Sequence, residues 1–242
     1  MNELLLIILL VFGGQTLGSL IGIIKRPSRY MICCFLAFAG AMMIGISFLE
    51  LIPEALEIIS YNWVLIGFLV GALIMLGVDR LLPHINPELC KKEKPNMKRS
   101  VTLLVVGIAL HNLPEGLAIG VGFALDPRLG ILIAIGITTQ DIPENIATVI
   151  SVYGLIKKRL KSVLILISTI LFELVGFLLG YYIFKSTSSF ILGFSLTVAA
   201  GFMTYLSVEE LIPSARKEGK PYPIAVAMIL GVLTVLLMIS VF

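Results

Sequence analysis

The chain has 242 residues, 58% of them hydrophobic and 14% charged, with a mean hydropathy of +1.05. Soluble domains average about 45–50% apolar and about 25% charged residues, so this composition excludes a soluble protein and predicts an all-α integral membrane protein. The formal charge of +3 is scattered over short connections rather than gathered on one face, which leaves no footprint for nucleic acid.

A membrane span takes about 20 mostly apolar residues. In chain order such runs predict eight transmembrane helices, at about 3–24, 30–52, 61–80, 100–125, 128–156, 162–184, 187–212 and 221–242, in one domain over 1–242. The first run carries Glu3 and no basic n-region, so it reads as a span rather than a cleaved signal. Pro27, Pro127 and Pro221 punctuate tight junctions. The one sizeable connection, 82–99, is Lys-rich, lacks a hydrophobic period and holds His84 and Cys90. Cys33 and Cys34 sit in an apolar run, where small hydrophobic core residues are the simpler reading; no CxxC spacing is present.

Basic residues cluster on alternate connections, which together hold 16 of the 18, while the other side keeps only Arg128 and Lys185. One missed span would scramble that asymmetry. The positive-inside rule then places both termini on the extracellular or periplasmic face of a cell membrane, with the 82–99 loop in the cytoplasm.

Two repeats run through the chain. SFLELIPEA (Ser47 to Ala55) matches SVEELIPSA (Ser207 to Ala215) at six of nine positions, and the copies end spans 2 and 7. An odd number of crossings separates them, so their orientations are opposite. HNLPEGLAIG (His111 to Gly120) and QDIPENIATV (Gln140 to Val149) share a second pattern on adjacent, antiparallel spans 4 and 5. Inverted repeats with interrupted helices at their interface place a substrate site near the midplane in many transporters. The expected arrangement is three outer spans, a central pair and three further outer spans.

The second repeat carries the chemistry. His111 and Glu115 lie four apart, as do Gln140 and Glu144, so each pair shares a helix face. His111 and Glu173 lie about 11 residues into their spans, a rise of about 17 Å and roughly half of a ~30 Å core. Pro114 and Pro143 free the carbonyls of Leu110 and Thr139, one residue before each polar cluster. Ionisable groups at this depth are expensive and mark an ion or substrate path. Glu115, Asp141, Glu144 and Glu173 bring four carboxylates with no Lys or Arg at that level, a charge that two divalent cations would offset. Imidazole, carboxylate and amide ligands suit zinc and its first-row neighbours better than magnesium.

These residues resemble the ZIP (Zrt-, Irt-like) divalent metal transporters, most specifically in HNLPEG on span 4 and QDIPE on span 5. The resemblance extends over the whole chain, including the eight spans and the loop after span 3. It implies a secondary transporter importing zinc, with elevator-type movement of spans 1, 4, 5 and 6, and a binuclear centre at the midplane. By position, His111, Glu115, Gln140 and Glu144 would bind one ion, and Asn112, Asp141 and Glu173 the second, with Glu115 and Glu144 bridging. A span-2 methionine after an Ala-Gly pair implies Met42, with Met43 close behind; filling a core gap is the alternative for both. Relatives are often dimers. Many have His in place of Gln140 and of Asn145, and the loss of imidazoles leaves cadmium, iron or manganese open as substrates. His84 is the only His in a loop that is often His-rich.

Two other functions share parts of this pattern. An intramembrane metallohydrolase also buries His and Glu, but its usual HExxH is missing and the chain has only two His, so an enzyme is not expected. A metal-selective channel could use the same ligands as a carrier. Glu50 and Glu54, like Glu209 and Glu210, end spans on opposite sides and read as either cation-gathering or solvated helix ends. Small-xxx-small pairs such as Gly67/Gly71, Gly116/Gly120 and Gly176/Gly180 read as close-packing surfaces.

Overall fold

The computed structural model describes residues 3–81 and 97–241, all-helical apart from short connections. We number its long helices α1 (Glu3–Lys25), α2 (Arg29–Ile58), α3 (Tyr61–Leu81), α4 (Met97–Leu125), α5 (Pro127–Ile156), α6 (Arg159–Phe184), α7 (Ser189–Lys217) and α8 (Pro221–Val241). Most of the expected 82–99 loop, with His84 and Cys90, lies outside the described residues; 97–99 already belong to α4. Among the described residues, seven helices are long and apolar enough to cross a membrane by length and composition. The exception, α5, spans 30 residues with a polar middle around Gln140, Asp141 and Asn145, and all three are buried against its neighbours. Outer helices turn leucines to the lipid at helical spacing, as with Leu65, Leu69 and Leu73 on α3.

Two boundaries differ from the sequence expectation. Spans 2 and 7 were expected to stop at 52 and 212, ahead of Pro53 and Pro213, yet both helices run on to Ile58 and Lys217. The reason is a widened π-turn in each, Ser47–Leu51 and Ser207–Leu211, where Ile52 and Ile212 donate to the carbonyls of Ser47 and Ser207, five residues back. A proline ring clashes with the carbonyl four residues before it. The wider turn moves that carbonyl aside, so the helix survives the proline. In each copy the serine hydroxyl donates to the carbonyl of a methionine one turn earlier, Ser47 to Met43 (2.8 Å) and Ser207 to Met203 (2.9 Å). The sequence repeat is therefore a repeat of backbone geometry.

Glycines define how the helices pair. Gly14, Gly18 and Gly22 of α1 stand against Thr138, Ile142 and Val149 of α5 in ascending order, so the two run parallel. By the same criterion α4 runs parallel to α6 (Gly116 at Glu173, Gly120 at Gly180), α3 to α7 (Gly67 at Phe194, Gly71 at Val198) and α2 to α8 (Gly231 at Phe38, Gly45 at Val235). The hairpin of α4 and α5 closes with Gly122 on Ile133 and Gly130 on Phe123. Exchanging α1 with α6, α2 with α7, α3 with α8 and α4 with α5 maps each of the four parallel pairs onto another and the α4–α5 hairpin onto itself.

The result is two four-helix groups. One contains α1, α4, α5 and α6, the other α2, α3, α7 and α8, and they meet mainly where α2 crosses α5 and α4 crosses α7. Close approaches to neighbouring backbone, at Gly18, Gly71, Gly116, Gly201 and Gly231, all lie inside a group. At the boundary, Gly136 of α5 meets the side-chain ends of Ile46 and Met238 instead.

A candidate metal centre between the two groups

Four helices of the first group bring polar side chains to one level near their midpoints. Carboxylate oxygens of Glu115 on α4 and of Asp141 and Glu144 on α5 lie within 4.8 Å of one another. Both helices run unbroken through Pro114 and Pro143, which leaves each motif continuous. Gln140 donates from Nε2 to Glu115 Oε1 at 2.7 Å, tying the two Pro-Glu motifs together.

A second layer lies toward α1 and α6. Gln15 of α1, buried like Glu173, donates from its amide to Asp141 Oδ2 (3.2 Å) and to Glu173 Oε2. Its Oε1 accepts from Asn112 (3.3 Å), whose amide also donates to the Thr169 carbonyl (3.2 Å). Sequence reasoning missed Gln15. Its signal was available: an amide midway along the first span, at the depth used to single out His111 and Glu173.

His111 faces the other way, across the boundary. Its Nδ1 pairs with the Gly107 carbonyl at 2.7 Å, and its Nε2 lies 2.7 Å from Oε2 of Glu210 on α7. Glu210, its side chain 40% exposed, thus reaches the candidate site from the second group. Met42 is fully buried within the main apolar cluster. Ile46 abuts Gly136, and Glu50 shares a cleft with Leu132 and Ile133, so α2 descends α5 in antiparallel register. Met42, one turn before Ile46, therefore stands level with Gln140. Asn145, where relatives often carry His, donates to the Asp141 carbonyl (3.0 Å).

The donor supply here falls short of the acceptors. Gln140 Oε1, Glu144 Oε2 and Glu173 Oε1 are buried without a hydrogen-bond partner. Buried polar atoms are nearly always paired, and each exception calls for an ion, water or function. Carboxylates converging with orphaned acceptor oxygens are suited to a cation. Replacing Gln15 with Ala should leave Asp141 and Glu173 facing each other without their shared donor. The expected cost to the metal-free protein is about 1–3 kcal/mol, read as earlier thermal unfolding in detergent, with zinc restoring most of the loss.

The family described as ZIP Zinc transporter matches residues 2–102 and 91–239. The chain is a member of the ZIP zinc transporter family. Similar ZIP relatives include the zinc transporters ZupT of Salmonella paratyphi A, Salmonella heidelberg and Salmonella newport, each 33% identical over 226 residues, covering 88% of this chain and 86% of theirs. Those ZIP relatives are named as transporters, and none of these three names describes an enzyme.

Proposed function

We propose that this chain is a secondary carrier that imports divalent transition metal ions, zinc first among them, into the cytoplasm. Its membrane is the cell membrane (the inner one where there are two), with both termini outside. The observation that carries this reading is the convergence of Glu115, Asp141 and Glu144 beside three orphaned acceptor oxygens, in a membrane protein whose relatives are named zinc transporters. One ion would take His111, Glu115, Gln140 and Glu144, with Met42 level with it on α2. The second would take Asn112, Asp141 and Glu173, and Gln15 stands beside that set. Glu115 and Glu144 would bridge. Two divalent charges offset the four carboxylates, and neutral amides dominate the remaining ligands. Cadmium, iron or manganese fit the same chemistry.

The packing favours movement of whole groups. Glycine contacts lock helices within each four-helix group, whereas side-chain tips fill the boundary. Interdigitated tips can exchange neighbours, but locked backbones cannot, so sliding of α1, α4, α5 and α6 against the rest is the mode this packing permits. An elevator built this way would present the site to each side in turn.

Zinc uptake into proteoliposomes tests the reading. Saturable uptake without measurable current is the expected result. Unsaturable flux carried as current would establish a channel, and absence of flux with folded protein would overturn metal transport.

A further inference from the structure

We infer that Glu50 is a metal-binding carboxylate of the opposite, outward-facing state, where it takes the place beside α5 that Glu210 takes here beside α4. This rests on the carrier reading above. Glu50 and Glu210 occupy the same position in SFLELIPEA and SVEELIPSA, and both sit in the same π-turn, four residues after the methionine-bonded serine's predecessor helix ends at Ile46 and Leu206. His111 and Gln140 likewise occupy the same position in the Pro-Glu motifs. The helix pairs map onto one another when α2 is exchanged with α7 and α4 with α5. Under that exchange, the contact Glu210–His111 becomes Glu50–Gln140.

The structure holds one of these contacts and not the other. Glu210 Oε2 is 2.7 Å from His111 Nε2. Glu50 instead lines a cleft with Ile46, Leu132, Ile133, Val235 and Met238. The register between α2 and α5 says how far away its counterpart lies. Leu132 and Ile133 precede Gln140 by about two helical turns, so a slide of about 10–12 Å along α5 brings Gln140 level with Glu50. The same slide carries His111 away from Glu210, because the second group moves as one piece. It also carries Gln140 away from Met42.

The second group therefore offers the ion different atoms in the two states. Here it presents Glu210 to α4 and Met42 to the level of Gln140. After the slide it presents a hard carboxylate, Glu50, to α5. The residue aligned with Met42 on α7 is Phe202, which has no ligand atom for His111 to share. An ion arriving from outside would meet the additional carboxylate first and exchange it for the thioether side as the groups move. The ligand chemistry is that of a divalent cation throughout.

Cysteine pairs in a background with Cys33, Cys34 and Cys90 replaced by alanine test this in proteoliposomes. Ile46→Cys/Gly136→Cys reports the state seen here, and Glu50→Cys/Gln140→Cys reports the opposite one; bridging by mercuric ion is read by mass. The expected result is bridging in both pairs, each in a fraction of molecules. Bridging at 46/136 alone would overturn the inference, even if the parent chain transports zinc. A single variant supplies a second readout: Glu50→Gln should raise KM for zinc uptake about tenfold, the scale for loss of a supporting ligand. The neighbouring Leu49→Gln should leave it unchanged. Equal KM in Glu50→Gln and the parent would also overturn it, whereas no saturable uptake by the parent would defeat the carrier reading itself.

Discussion

Replacing Glu144 with Ala should abolish saturable zinc uptake, lowering it by about a hundredfold or more, since even outer-shell partners of metal ligands cost about 10–100-fold when lost. Glu144 contributes one of the three carboxylates that converge within 4.8 Å, and its Oε2 is one of the buried oxygens without a donor. No neighbouring residue replaces it: Gln140 already donates to Glu115, and the next polar residue on α5, Asn145, turns its amide to the Asp141 carbonyl. Uptake of radioactive zinc and cadmium into proteoliposomes, compared at matched protein incorporation, is the measurement. Full uptake by the variant would remove the midplane cluster from the transport path. Glu144→Asp keeps the charge but shortens the reach, and it should fall between the two.

Gly116→Val should destroy the fold rather than tune it. A Cβ at Gly116 would land on the carbonyl oxygen of Glu173, with Phe177 N also within contact distance, so neither neighbour is a flexible side-chain end. Overpacking a core side chain costs about 1–3 kcal/mol; here backbone must yield, and the expected loss is at least about 3 kcal/mol. Separating α4 from α6 would also draw Glu173 from Gln15, taking the second layer of the site with it. Thermal unfolding in detergent reads the loss. Gly154→Val is the control, since a Cβ there meets nothing within 4 Å. Comparable melting of the two variants would mean that the α4–α6 contact is not as close as described.

Much of this architecture was legible in the chain because lipid imposes two strict demands. Spans must be long and apolar, which made the eight long helices visible as runs in the sequence, and charge at depth must have a reason, which singled out Glu115, Asp141, Glu144 and Glu173. What escaped was governed by weaker signals. Gln15 is neutral, and a single amide between Gly14 and Thr16 costs too little in a membrane helix to stand out. Glu210 read equally as a cation-gathering group or a solvated helix end, because span 7 was expected to close at 212, just beyond it. The π-turn carries the helix on past Pro213, and Glu210, still partly exposed, reaches His111 across the boundary. The small-residue pairs were visible as packing surfaces, but their partners were not: only the folded chain shows that Gly116 meets α6 while Gly136 meets side-chain tips across the boundary.

The two π-turns have a further consequence for the shape of these helices. A π-turn holds one residue more than an α-turn, and each residue of an α-helix advances the side-chain direction by about 100°. Deleting one residue from Ser47–Leu51 or Ser207–Leu211 would let the helix close into a regular spiral, and everything beyond would be rotated by that angle relative to everything before. Each wide turn is thus a phase shifter. It lets the lower half of its helix bind one neighbour and the upper half another, and it aims a glutamate between them. A one-residue deletion there would spare the hydropathy of the span and still disconnect its two ends from their proper partners.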